Sequence, residues 1–201
     1  ALLAAEGVVF RPGVHVGVDL PAAELRRGFD AVLLAGGAGR PRDLVVPGRE
    51  LAGIHFAMDY LTAQNRRCEG DDIDASTLTA AGRHVVIIGG GDTGADCLGT
   101  AHRQGAQSVV QLELLPQPPA ERAADNPWPT WPLVFRTSSA HEEGGERLYA
   151  VTTTHFTGDG DGHVRALHGL RVTRAVADGR PTFTPVAGSE FALPADLVLL
   201  A

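Results

Sequence analysis

The chain has 201 residues, of which 44% are hydrophobic and 20% charged, so it is long enough to bury a core and too apolar for a disordered protein. Its 17 Lys and Arg against 24 Asp and Glu give a net charge of −7, which disfavours general nucleic-acid binding. No apolar run approaches the roughly 18 residues needed to cross a bilayer, and Cys68 and Cys97 are too few for a disulfide framework, an iron–sulfur cluster or a four-thiolate zinc site. We therefore expect a cytoplasmic protein without a metal site in this chain.

The first forty residues predict a strand, a short helix and a second strand. Residues 7–18 alternate β-branched residues with glycine and proline, and residues 21–27 form a possible two-turn helix that starts with proline. The continuous apolar run 29–35 ends at Gly36 and Gly37, a pattern typical of a strand buried on both faces of a parallel sheet. The glycine turn after it would offer backbone groups to a ligand.

Residues 41–81 predict a connector, a helix and a loop. Proline and glycine make residues 41–48 a connector, and apolar residues at helical spacing then predict a helix from Ile54 to about Asn65. Residues 68–81 are polar and rich in Asp, so we expect a loop.

The most informative pattern begins at residue 84. Residues 84–88 are a β-branched run, residues 89–94 are rich in glycine, and residues 95–104 have helical character up to Gly105. Residues 108–113 supply another strand. The order strand, glycine turn, helix, strand predicts a βαβ unit with the size of a mononucleotide-binding half.

The glycine turn predicts a site for the pyrophosphate of a dinucleotide. Its spacing is G-x-G-x-x-G, in which the first glycine permits the tight turn, the second lets the backbone approach the phosphate, and the third lets helix pack on strand. Free N–H groups and the helix dipole attract the anion, so no basic side chain is needed. The alternative is a tight turn without a ligand. The candidate cofactor-binding residues here are Gly89, Gly90, Gly91, Asp92, Thr93 and Gly94.

Glu113 stands at the end of the second strand, where a dinucleotide-binding unit recognises the ribose. An acid there accepts a hydrogen bond from the 2′-hydroxyl of NADH, and no Arg follows before Arg122 to bind the 2′-phosphate of NADPH. We therefore expect NADH or NADPH, with NADH favoured. In the alternative, Glu113 caps a helix or pairs with an Arg elsewhere, and the preference then has no basis.

Proline dominates residues 116–132, which include both tryptophans, so no regular structure is expected there. Trp128 and Trp131 have three open interpretations: they dock a partner, cover the nicotinamide pocket or fill a core.

From residue 146 onward, three alternating segments separated by glycine turns predict antiparallel strands. These segments are residues 147–156, 163–176 and 182–186. Residues 196–201 have the pattern of a buried strand that stops in mid-course, and no initiator Met is present, so we expect a piece of a longer protein.

Three other patterns favour structural interpretations. His141 and Glu142 begin like a zinc-protease helix, but Gly145 replaces the second histidine. Residues 159–162 resemble a calcium loop without its bidentate Glu, so a hairpin turn is expected. Cys97 shares a helix face with apolar residues and is expected in the core.

Four segments together resemble the small, or β, subunit of glutamate synthase and the related region of the single-chain NADH-dependent enzyme. They are VVIIGGGDTGADCLGTAHRQGA at residues 85–106, LLPQPPAERAADNPWPTWP at 114–132, SSAHEEGGER at 138–147 and VAGSEFALPADLVLLA at 186–201. The resemblance covers essentially the whole chain. The proline-tryptophan segment makes it far more specific than the glycine turn alone.

The resemblance implies a flavoprotein in which NAD(P)H reduces FAD. Electrons then pass through 4Fe–4S clusters to the large (α) subunit, which forms glutamate from 2-oxoglutarate and glutamine. The cluster cysteines and the FAD-pyrophosphate turn would lie upstream of this sequence. Hydride transfer between nicotinamide and flavin requires juxtaposed rings, so we expect no catalytic side chain. The implied partner is the large subunit, with neither nucleic acid nor membrane, and a homo-oligomer is left open.

The family implies an α/β fold, namely a Rossmann-like three-layer FAD/NAD(P)-binding domain with an antiparallel β-meander insertion. Residues 1–48 would be part of the FAD-binding domain and its crossover, with Gly36 and Gly37 as cofactor-binding residues. Residues 49–201 would be the NAD(P)H-binding domain, ending at the strand that returns to the FAD domain. Leu114 and Leu115 depart from the pair of Arg that many bacterial members place after the second strand, which puts the usual NADPH assignment in doubt.

Two other functions remain open from the sequence. One is a related electron-transfer flavoprotein subunit with another acceptor. The other is a degenerate domain, without cofactor, that serves as an assembly surface.

Overall fold

The structure is a computed structural model that describes residues 2–72 and 78–201, so the predicted loop at 68–81 lies partly outside the described residues. It divides into two compact units, Ala1–Arg40 and Pro41–Ala201. The predicted boundary after residue 48, and the assignment of residues 1–48 to an FAD-binding domain, stay predictions.

The smaller unit contains two short helices, α1 (Leu2–Ala5) and α2 (Ala22–Gly28). The predicted helix is therefore confirmed, with Pro21 just before it. Both predicted strands of this region are wrong. In the first predicted strand, the described residues form β pairing only as an isolated bridge between Val16 and Leu20. In the second, Leu33 and Leu34 are each 89% exposed, so the apolar run is not buried in a sheet. An apolar run becomes a strand only where a neighbouring strand takes up its backbone hydrogen bonds, and residues 29–35 have no such neighbour in this unit.

The larger unit contains three helices and nine strands among its described residues. The helices are α3 (Ala57–Cys68), α4 (Asp92–Arg103) and α5 (Ser139–Glu142). The strands are β1 (Ile54–Phe56), β2 (His84–Ile88), β3 (Ser108–Glu113), β4 (Glu146–Tyr149), β5 (Val151–Gly158), β6 (Val164–Ala177), β7 (Arg180–Pro185), β8 (Phe191–Pro194) and β9 (Leu197–Leu200). No helix in the described ranges combines the length and the apolar character that a membrane crossing requires.

Five strands form a parallel sheet in the order β1-β9-β2-β3-β4. The strands at 84–88 and 108–113 are confirmed at their predicted bounds, and α4 connects them as expected. Ile54 was predicted to start a helix, but it belongs to β1 because it pairs with Val198 of β9. The helix begins three residues later, at Ala57.

A second, antiparallel sheet is built from β5, β6 and β7, with β8 also paired to β6. The predicted strand 147–156 is in fact two strands, because Ala150 has a positive φ of 54° and the chain leaves one sheet for the other there. The turn at residues 159–162 joins β5 to β6 as an antiparallel hairpin, as expected.

The parallel sheet lies between two apolar clusters, so the larger unit has three layers. Val85 and Ile87 face α3 and α4, where Tyr60, Cys97 and Leu98 complete the first cluster. Val86 points the other way, into the second cluster, which the antiparallel sheet supplies with residues such as Phe156 and Leu167. This alternation follows from the two-residue period of a strand covered on both faces. The predicted three-layer α/β fold with an antiparallel insertion is confirmed.

Candidate functional site

The glycine turn lies at the carboxyl edge of the parallel sheet. The N–H of Gly89 donates to the carbonyl of Leu112 on β3 (2.9 Å), and the N–H of Ala201 donates to the carbonyl of Ile88 (2.9 Å). The turn therefore leaves β2 between the ends of β3 and β9. In open parallel sheets, ligands bind in the crevice outside this edge.

Two glycines of the turn are required by contacts with backbone atoms, and a Cβ on Gly90 would in addition overlap the Glu113 side chain. Gly89 has a positive φ of 131°, and a side chain there would overlap the carbonyl oxygen of Ala201. A Cβ on Gly94 would overlap the carbonyl oxygen of Gly89, so only glycine lets α4 approach β2 this closely. Gly91 is different, because its φ is −82° and no atom lies within 4 Å of the position of a Cβ. Its outer side faces open space, as a pyrophosphate requires.

The amides at the start of α4 are available for an anion. The first helical hydrogen bond runs from Ala95 N–H to the Gly91 carbonyl (3.0 Å), and no side chain caps the helix. Within the described part of the chain, the N–H groups of Gly91, Asp92 and Thr93 have no hydrogen-bond acceptor. These donors and the positive end of the helix dipole form an anion-binding arrangement.

Glu113 binds backbone amides on both of its carboxylate oxygens. Oε2 accepts from the Gly90 N–H (3.0 Å) and Oε1 from the Leu115 N–H (2.7 Å). Glu113 therefore occupies the Gly90 amide, leaving the next three amides to a ligand. Its predicted alternative, an ion pair with an Arg, is not found among the described residues. Ribose recognition by Glu113 stays a prediction.

Two further residues, Gln111 and His141, support the turn through hydrogen bonds. The sequence patterns did not predict either of them as a site residue. Gln111 is 2% exposed, its Nε2 donates to the Gly89 carbonyl (2.8 Å), and its Oε1 contacts His141 Nε2 (2.9 Å). His141 Nδ1 in turn accepts from the N–H of Ser138 (3.2 Å). We call this chain of hydrogen bonds the Gln111–His141 relay. The available sequence signal was a polar residue within the otherwise apolar end of β3.

The other predicted cofactor-binding residues lie apart from this turn in the sequence. Gly36 and Gly37 belong to the smaller unit, in a segment without regular secondary structure, and no atom lies within 4 Å of a Cβ built at either position. Their role stays a prediction.

The proline-rich segment is irregular, as predicted, and exposes its tryptophans. Trp128 is 82% and Trp131 70% exposed, so the core interpretation is wrong. The segment is held by hydrogen bonds from Arg122 to the carbonyls of Asn126 (2.8 Å) and Thr130 (3.0 Å), and Arg136 stacks on the Trp131 ring (4.6 Å). Docking of a partner and covering of the pocket both remain predictions.

Neither Cys97 nor the two sequence patterns that resemble metal sites adds a metal-binding group among the described residues. Cys97 is buried in the core as predicted, and burial raises the pKa of its thiol to about 12. The described residues contain no group of three or more His, Cys, Asp or Glu side chains placed to hold a metal ion. His141 and Glu142 lie on the four-residue α5, which ends before Gly144 and Gly145.

Comparison with known proteins identifies the family and close relatives. Residues 8–130 match the family described as pyridine nucleotide-disulphide oxidoreductase. The chain is 58% identical over 200 residues to the glutamate synthase [NADPH] small chain of Mycobacterium tuberculosis, covering 98% of this chain and 40% of that relative. It is 43% identical over 210 residues to glutamate synthase [NADH] of Schizosaccharomyces pombe, covering 100% of this chain and 10% of that protein.

A solved structure shares the fold. Mycobacterium tuberculosis FprA in complex with NADPH superposes with a TM-score of 0.56 at 18% identity, covering 94% of this chain and 53% of that one. The predicted resemblance to the glutamate synthase small subunit is thereby confirmed by the sequence relatives. The chain spans less than half the length of the small chain that it matches.

Proposed function

The chain belongs to the pyridine nucleotide-disulphide oxidoreductase family, and on this premise we propose that it is the nicotinamide-dinucleotide-binding part of a glutamate synthase small subunit. In the longer protein it would deliver hydride from NAD(P)H to FAD, and the electrons would serve glutamate formation by a large subunit. The names of its relatives support this proposal, since they include both the NADPH small chain and the NADH enzyme.

The observation that carries the proposal is the set of unpaired amides at Gly91, Asp92 and Thr93 at the carboxyl edge of the sheet, with open space beside Gly91. A pyrophosphate would accept hydrogen bonds from these amides, with the dipole of the twelve-residue α4 adding attraction. No basic side chain needs to take part. The geometry of these amides supports the proposal, in which the ribose would lie beside Glu113 at the end of β3.

The bound nicotinamide would supply the hydride, and this chain would hold and orient it. No acid or base among the described residues is needed, because hydride passes directly between juxtaposed rings. FAD is implied by the family, but residues 2–40 form no strand–turn–helix unit that could hold its pyrophosphate. Flavin reduction, the 4Fe–4S clusters and the large-subunit contact are therefore proposals about the longer protein.

Calorimetric titration of the chain with NADPH and NADH tests the proposal. We expect at least one dinucleotide to bind with a dissociation constant below about 1 mM, because three free amides at the start of α4 would anchor the pyrophosphate. ADP serves as a comparison for the contribution of the adenosine diphosphate half alone. Failure of both dinucleotides to bind at millimolar concentration would contradict the proposal and favour an assembly domain without cofactor.

Replacing Glu113 with Ala tests the ribose contact. We expect the change to weaken NADH relative to NADPH by about tenfold, because it removes a charged acceptor for the 2′-hydroxyl and a negative charge close to a 2′-phosphate. Glu113→Gln, which keeps an oxygen for the Gly90 amide, separates the charge from the backbone contact. Equal losses for both dinucleotides would show that Glu113 only holds the turn.

A further inference from the structure

The peptide between Gly89 and Gly90 is held on both sides by side chains of one strand. Its carbonyl accepts from Gln111 Nε2 (2.8 Å) and its N–H donates to Glu113 Oε2 (3.0 Å). Gln111 and Glu113 are two residues apart on β3 and therefore lie on the same side of that strand. This peptide directly precedes the unpaired amides of the turn, so its orientation sets theirs.

We propose that His141 is a positioning residue for dinucleotide binding, acting through Gln111 on the Gly89 carbonyl. The inference deepens the proposed function and rests on it. It assigns a role to the Gln111–His141 relay, which contacts the Gly89 carbonyl and leaves the unpaired amides at the start of α4 free for a ligand.

Gln111 holds the carbonyl only if its own amide is fixed. Its side chain is fully within the protein, and the Gly89 carbonyl has no other donor among the described residues. Gly94 leaves the room that this amide needs, because a Cβ there would meet Gln111 Nε2 as well as the Gly89 carbonyl. A Gln amide can turn over and exchange its two ends, so an outside partner on Oε1 is needed to fix its orientation.

His141 is that partner, and its own orientation is set by α5. Its Nδ1 accepts from the Ser138 N–H, so the ring proton lies on Nε2, which donates to Gln111 Oε1. Burial, with a smaller contribution from Arg147, holds the pKa of His141 below its usual range, which favours this neutral form. A protonated Nδ1 would lose the hydrogen bond from the Ser138 N–H and could only donate to Ser138 Oγ, which lies 2.9 Å away.

The short helix α5 is fixed in turn by α4. Ala140 packs against Gly99, where a Cβ would approach the Ala140 side chain to 3.0 Å, and Glu143 pairs with Arg103. The helix whose N-terminus lies at the proposed phosphate site, α4, therefore also packs against α5, which carries His141. His141 is thereby placed as part of the same rigid assembly.

The relay is tested by a double-mutant cycle on NADPH and NADH affinity, measured by calorimetry. His141→Ala and Gln111→Ala should each raise the dissociation constant about tenfold, and the double variant should lose no more than Gln111→Ala alone. Glu142→Ala, an exposed neighbour on α5, is the matched control and should bind like the unchanged chain.

Two conservative variants separate positioning from a general packing role. His141→Gln places an N–H close to the position of Nε2 and should keep affinity within about twofold, whereas His141→Asn is too short and should lose about tenfold. If His141→Ala and His141→Asn bind as tightly as the unchanged chain, or if the losses in the cycle multiply, the inference is wrong. An unchanged chain that binds neither dinucleotide would instead remove the proposed function itself, and this inference with it.

Discussion

Replacing Gly91 with Leu should weaken NADPH and NADH binding by at least about a hundredfold while leaving the fold intact. Gly91 has an ordinary negative φ, and no atom lies within 4 Å of its Cβ position, so the new side chain meets no protein atom close to the backbone. It instead fills the space beside the unpaired amides that the phosphates would occupy under the proposed function. Affinity is measured by calorimetry and stability by thermal unfolding, whose midpoint should change by no more than about 2 °C.

Gly160→Leu is the matched control for this prediction. Gly160 also has open space around its Cβ position and lies in the hairpin between β5 and β6. The same substitution there should leave affinity unchanged. If Gly91→Leu retained dinucleotide binding, the pyrophosphate would not contact this turn.

Replacing Gly94 with Val should destabilise the larger unit by about 3 kcal/mol, at the upper end of overpacking costs, and abolish dinucleotide binding. The new Cβ would overlap the Gly89 carbonyl and the Gln111 amide, both of which lie in the buried contact between α4 and the sheet. Neither atom can move without breaking the hydrogen bond that joins them. The free energy of unfolding in urea, compared at constant m-value, measures the cost.

The pairing of the two glycine substitutions distinguishes packing from ligand contact. Gly94→Val should lower both stability and affinity, whereas Gly91→Leu should lower affinity alone. Gly160→Val gives the baseline for a β-branched residue at an open glycine and should cost less than about 1 kcal/mol. A Gly94→Val chain as stable as the unchanged one would show that α4 packs less closely on the sheet than described.

Local sequence determined the βαβ unit and the position of its turn. The strands at 84–88 and 108–113 combine a β-branched run with pairing on both sides, so propensity and tertiary structure agree. The same agreement holds for the irregular segment 116–132, because dense proline excludes helices and strands whatever surrounds it. The family resemblance, which that segment makes more specific, is confirmed by the relatives.

The prediction of strands from the sequence was wrong where a strand depends on pairing with a distant segment. Residues 29–35 have the composition of a buried strand but no partner in their own unit, while Ile54 is a strand residue because β9, far along the sequence, pairs with it. Likewise, residues 147–156 divide between two sheets at Ala150, where the backbone has a positive φ. Periodicity within a window cannot report a pairing between distant segments.

The sequence by itself determined that a glycine turn begins a helix after a buried strand, since spacing and local propensity suffice for that. Only the tertiary structure decided which glycines are required by contact and which faces open space, because the atoms that crowd Gly89 and Gly94 include those of Ala201 and Gln111. It also brought His141 against Gln111, across thirty positions of chain, because α5 packs on α4. Side-chain contacts between distant segments arise from packing, which no local pattern encodes.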